Sequence, residues 1–160
     1  MADMIRRLAE LTTGQHGAVT RAQLRAAGLT ESQLRSRVQS GILQPVGART
    51  FRSPFAGSSP LTDLTALVLD CGDSAVVSGP TAAALYGFDG FRLRAPFHVT
   101  TTRGRNLQRV GHHIHTSIEL PLIDQQTVEG LRTMSATRTL IDLARFVDAA
   151  ALTRAVDSAL

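Results

Sequence analysis

One helix-start signal, written twice on either side of a glycine, constrains this chain more than any other feature. Val19-Thr20-x-x-Gln23-Leu24 and Leu29-Thr30-x-x-Gln33-Leu34 share the same layout. In each, the Thr hydroxyl accepts the orphan N–H of the third helical residue. The Gln at that position returns to the Thr backbone, and the flanking apolar pair staples the first turn. Gly28 stands where the first helix must stop, because the left-handed cap conformation costs glycine little. Helices over 20–27 and 31–40, separated by a tight glycine turn, predict a helix-turn-helix. Leu24, Ala27, Leu34 and Val38 take the inward positions. Ser32, Arg35, Ser36 and Gln39 share the opposite face at i, i+3, i+4 and i+7, a stripe of donors and acceptors without an acid. Gly41 ends the second helix. Extended stretches at 42–46 and 49–53 then flank Gly47-Ala48 as a two-stranded wing.

Charge placement supports a nucleic-acid surface. All 17 basic residues are Arg. Coding bias accounts for the missing Lys but not for the segregation. Residues 1–57 carry +5, 58–91 carry −4, 92–118 carry +5 and 119–160 carry −2. Two basic blocks alternate with acidic ones, which fits polyanion contact on selected faces. A 43% hydrophobic content with 4% aromatics and no Trp predicts a core of Ala, Leu and Val. No apolar run approaches the ~20 residues of a membrane span. The N-terminal stretch lacks a signal-peptide apolar block, and Cys71 has no partner for a disulfide, so the expected location is the cytoplasm.

The pattern ahead of the repeat predicts a helix over 3–13, with Ile5, Leu8 and Ala9 on one face. Ser53 to Ser59 collects Pro, Gly and Ser and is the expected linker. Beyond it, helices are predicted at 62–69 and 80–86 and an extended segment at 75–78. Strands are predicted at 96–102 and 110–117, joined by the basic loop 103–109, with further short strands at 121–123 and 126–134. A helix over 135–147 presents Leu140, Ile141, Ala144 and Val147, and another follows at 149–159. The amphipathic pattern is still open at Leu160, which raises the expectation of a truncated chain or a further domain. The expected fold class is α+β: an N-terminal winged helix-turn-helix domain, 1–55, followed by a small mixed α/β domain, 60–160.

These stretches resemble the AbiEi-type antitoxin family of type IV toxin–antitoxin systems. The segment from Gln15 to Arg52 resembles its N-terminal winged helix. VVSGPTAAALYGF resembles the following small-residue helix, and ATRTLIDLAR, after HVTTTRGR and HHIHTS, the close of the second domain. The chain departs from the family at Gly79-Pro80, where a His or a basic residue is frequent. Many related proteins continue into a nuclease-like domain, so nuclease activity is not carried over. The resemblance implies a repressor that binds double-stranded DNA at its own promoter. It also implies a nucleotidyltransferase-like toxin as partner, and a second domain acting in antagonism, in DNA contact or in both.

From the residues, Arg35 is placed to fork to guanine, with Ser32, Ser36 and Gln39 contacting bases or phosphates. Arg37, Arg21, Arg25, Arg49 and Arg52 are expected on the phosphate backbone. Glu31, at the first helical position, serves the helix dipole equally well. The bland alternative is a solvated face of a small helical bundle. Arg92, Arg94, Arg103, Arg105 and Arg109 form a second basic patch, equally a phosphate surface, an exposed hairpin tip or the dock of an acidic partner. His112, His113 and His115 lack a completing Cys or carboxylate, so no metal site is expected. Without Lys there is neither a Walker A motif nor a Schiff-base nucleophile. A buried structural role suits Cys71 better than a catalytic one. A non-enzymatic protein needing no cofactor is expected. The alternatives are the N-terminal regulatory part of a nuclease-like protein, or a toxin-binding interaction module.

Overall fold

The computed structural model describes residues 6, 9, 10, 12–53, 57–103 and 107–160. Ile5, Leu8, residues 54–56 and Arg105 lie outside the described residues. Chain contacts divide the protein into two compact units, Met1–Gly72 and Asp73–Leu160. Both mix helices with a sheet.

In the first unit, Arg6, Ala9, Glu10, Thr12 and Thr13 are helical. They precede β1 (Ala18–Thr20), α1 (Arg21–Ala26), α2 (Glu31–Gln39), β2 (Gln44–Pro45), β3 (Thr50–Arg52) and α3 (Pro60–Cys71). Both predicted capping boxes form. Thr20 Oγ1 accepts from the Gln23 amide at 3.1 Å and Gln23 Oε1 from the Thr20 amide at 2.9 Å. Thr30 and Gln33 repeat this at 3.2 and 3.0 Å. At the end of α1, the Leu29 amide donates to Leu24 O and the Gly28 amide to Arg25 O, with Gly28 at φ +95°. This is a Schellman stop, which needs the left-handed residue at Gly28. Leu29 thus ends one helix and staples the next. It packs with Val19, Leu24, Leu34, Leu43 and Phe51 in one buried cluster. Full burial of each Leu contributes about 1.5–3 kcal/mol.

The sheet runs β1-β3-β2, all antiparallel, with Val19 opposite Phe51 and Pro45 on the edge strand. Pro is tolerated there because an edge residue owes the ladder no N–H. α3 packs on β1 and β3. Its apolar side, including Leu64, Leu67 and Cys71, is therefore buried. For that reason the division falls after Gly72, not in the Pro/Gly/Ser-rich stretch where the sequence placed the linker.

The second unit holds β4 (Val76–Val77), α4 (Gly79–Tyr86), β5 (His98–Thr102), β6 (His113–Ser117), β7 (Gln125–Val128), β8 (Leu131–Met134), α5 (Ala136–Leu143) and α6 (Ala149–Ala159). The sheet order is β6-β5-β4-β8-β7. β7 and β8 form a hairpin whose two turn residues, Glu129 and Gly130, have φ +49° and +71°. That geometry matches the right-handed strand twist. Ala83, Phe88, Leu143 and Ala155 are buried together, flanked by Ala136, Leu140 and Val147.

Three expectations are corrected here. β5 and β6 are parallel, His98 beside His113, which removes the hairpin-tip alternative for the loop between them. Alternation identifies a strand but not its direction, and the ten residues 103–112 can span back along a strand of about 16 Å. Residues 121–123 are not a strand, because Leu122–Asp124 is a 3-10 turn. The inward face of α5 is Ala136, Thr139, Leu140 and Leu143, while Ile141 and Ala144 are exposed. That set also satisfies the helical spacing, and the sequence alone could not choose between the two.

Candidate nucleic-acid interface

With α1 and α2 stopped, stapled and capped, the outward stripe of α2 is fixed in register. Ser32, Arg35, Ser36 and Gln39 are all exposed, and Leu34 beneath them is 2% exposed. The structure brings the four predicted readers onto one solvent face. Arg37 lies on the flank, half-buried, donating to Gln33 O at 3.2 Å.

The five arginines expected on phosphates all have partners within the protein. Arg21 and Arg25 each donate to Glu31, at 2.8 Å to Oε2 and 2.8 Å to Oε1. Arg21 also stacks on the Phe51 ring, 5.5 Å from its centroid. The hydrogen bond from Arg25 holds the Glu31 carboxyl below its ordinary range, and the Arg21 and Arg25 charges add to this against partial desolvation. Arg52 donates to Gln44 Oε1 at 3.0 Å and meets Asp63 at 3.4 Å, which ties β3 to its neighbour strand and to α3.

The turn between β2 and β3 is held by Asp70, in the last turn of α3. Asp70 is 1% exposed. Its Oδ1 accepts the Arg49 amide at 2.7 Å and lies 3.4 Å from Thr50 Oγ1. In return, the Arg49 guanidinium donates to Asp70 O at 2.9 Å. An acid in the last turn of a helix opposes the helix dipole, and the last carbonyls lack partners. Arg49 supplies the missing positive charge and caps one of those carbonyls. Gly47 sits against the pair: a Cβ there would lie 2.5 Å from Thr50 Oγ1 and 2.7 Å from the Asp70 carboxyl carbon. No local signal announces a contact between residues 21 positions apart.

The arginines of the second basic block are distributed around β5. Arg92 and Arg94 precede β5 and Arg103 follows it, so a strand length separates them. Arg109, half-buried in the crossover, returns toward the start of β5, where its carbonyl accepts the His112 amide. The histidines divide by face. His112 stacks on Phe97 at 5.3 Å and accepts its amide. His113 and His115 join His98, which sequence reasoning missed because only strand register brings it there. His98 Nδ1 and His115 Nε2 are 3.0 Å apart, one donating and the other accepting. Burial, then the charges of His113 and His115, pushes His98 down to about 4. Burial, His113 and Arg145 lower His115 against the opposing pull of Asp142. Among the described residues, no group of three His, Cys, Asp or Glu side chains is arranged to hold a metal ion.

A duplicated cap, a stapled turn and an exposed polar stripe all lie within residues 6–49, which match the family model described as "Transcriptional regulator, AbiEi antitoxin". This segment is similar to the AbiEi antitoxin family. The AbiEi match ends at Arg49, short of α3 and the whole second unit. Over a longer stretch the chain is similar to the crystal structure of RV2827C protein from Mycobacterium tuberculosis. The TM-score is 0.58 at 16% identity, covering 88% of this chain and 60% of that one. The likeness is one of fold, and the chain spans less than two thirds of that protein. No curated protein matches the chain. Among the described residues no helix is long and apolar enough to cross a membrane.

Proposed function

We propose that the protein is a DNA-binding transcriptional repressor that acts on its own promoter and serves as the antitoxin of a type IV pair. The observation that carries this reading is the exposed stripe Ser32, Arg35, Ser36 and Gln39 on a helix whose ends are both locked. The order β1-α1-α2-β2-β3, with its antiparallel sheet, supports reading the first unit as a winged helix. In this reading α2 lies in the major groove, with Arg35 on a guanine edge and its polar neighbours on adjacent bases or phosphates. The wing beside it is braced by the Asp70–Arg49 pair. The protein works in the cytoplasm, without catalysis or cofactor.

Fluorescence anisotropy on the upstream promoter duplex tests this. The expected result is saturable binding that weakens as salt rises. Failure to bind at low salt, or incision of the duplex by the protein, would overturn it.

The second unit also supports a toxin-contact role. Ile118, Leu122 and Ile123 are 71, 79 and 88% exposed within six positions. Exposed apolar side chains, where they form a contiguous patch, mark interaction surfaces. Co-purification with the product of the neighbouring gene, lost on Ile123→Asp, is the expected outcome. No retention of the wild-type chain would exclude direct contact.

A further inference from the structure

We infer that Glu31 is an internal counterion which restrains sequence-independent DNA binding; the inference rests on the DNA-binding reading above. Glu31 is the sole acid among residues 12–53, a stretch that holds six arginines. Its two oxygens are divided between two guanidiniums, each at 2.8 Å. The side chains stay open to water, at 45% for Arg21, 57% for Arg25 and 39% for Glu31. Ion pairs this exposed contribute little to stability. Their consequence lies in the charge that the face presents.

An arginine that meets a DNA phosphate releases a counterion from the duplex, and that release supplies most non-specific affinity. Arg21 and Arg25 already hold a carboxylate. Contact with DNA would exchange one anion for another and gain little. Arg35, on the outward stripe, has no such competitor among the described residues. Binding then depends more on base contacts by α2 and less on the charge of α1. This reassigns Arg21 and Arg25 from phosphate clamps to a pair held in reserve by Glu31. As a specificity-determining residue, Glu31 sits beside the reading stripe rather than on it, because its helical position lies next to the half-buried Val38.

The test compares the full-length wild type with Glu31→Gln on a mixed-sequence duplex and on the promoter duplex, by anisotropy from 50 to 200 mM salt. Glu31→Gln frees two guanidiniums. It should bind the mixed sequence more tightly and lower the promoter-to-mixed ratio. The slope of log affinity against log salt should steepen by up to ~1.8, a roughly tenfold larger change in Kd across that range. The triple variant Glu31→Gln, Arg21→Gln, Arg25→Gln should lose the steepening, which separates freed charge from any change in folding. Unchanged slope and ratio in Glu31→Gln, with wild type still bound to the promoter, would overturn this inference alone. Retention of the steepening in the triple variant would do the same. Absence of binding by both wild type and Glu31→Gln would remove the DNA-binding reading, and this inference with it.

Discussion

Replacing Asp70 with Ala should cost more than any surface change in the first unit, and the cost can be worked from the contacts. The substitution removes the acceptor of the Arg49 amide at 2.7 Å and the weaker one of the Thr50 hydroxyl at 3.4 Å. Thr50 is 0% exposed, so water does not replace the lost partner at its hydroxyl. A buried donor left without an acceptor costs about 1–3 kcal/mol, and a net hydrogen bond contributes about 1 kcal/mol. A loss near 3 kcal/mol is expected, a large share of the ~5–15 kcal/mol that holds a domain together. Asp70→Asn keeps an oxygen for the Arg49 amide and should cost about 1 kcal/mol. Urea unfolding followed by circular dichroism measures both, with a midpoint drop of roughly 1–3 M for the Ala variant at ordinary slopes. Hydrogen exchange at residues 47–50 should accelerate in parallel. Equal stabilities for Ala and Asn, or an Ala variant within 0.5 kcal/mol of wild type, would refute the bracing role.

The same corner predicts that Gly47→Ala fails sterically rather than conformationally. Its Cβ would meet Thr50 Oγ1 at 2.5 Å, and overpacking of this kind costs about 1–3 kcal/mol. An unchanged Tm would contradict the crowding. In the second unit, His98 binds a proton less readily folded, at about 4, than at its ordinary 6.5. Its contribution is therefore complete above pH 6.5 and is lost as pH falls from 6.5 toward 4. With a discount for water exposure, the loss is on the order of 1 kcal/mol. Thermal melts between pH 7.5 and 4.5 should show this decline and show less of it in His98→Gln. An identical pH slope in the two proteins would remove the His98–His115 pair as its source.

How far the fold is legible in the sequence depends on the distance over which each signal acts. The caps at Thr20 and Thr30, the stop at Gly28 and the staples formed by Val19–Leu24 and Leu29–Leu34 are encoded within a few residues, and each forms as read. The polar stripe on α2 follows from helical spacing alone. What the sequence hides is tertiary. Asp70 reaches the wing across 21 positions, and His98 meets His115 only once β5 and β6 adopt a parallel register. The arginines show the same limit. Their number and segregation are visible in the sequence, but whether a guanidinium faces solvent or a carboxylate is not. Arg21, Arg25, Arg49 and Arg52 therefore looked like phosphate contacts, whereas each is engaged inside the protein. The inward face of α5 was misassigned for a different reason. Two overlapping apolar sets fit the helical period there, and only packing against α4 and α6 selects one.

The central claim is that α2 reads DNA through its exposed stripe, and anisotropy of Arg35→Ala on the promoter duplex tests it most directly. The account predicts a loss of about 1–3 kcal/mol in promoter affinity, relaxed preference at one base position and little change in secondary structure. Promoter binding by Arg35→Ala equal to that of wild type in affinity and base preference would contradict it.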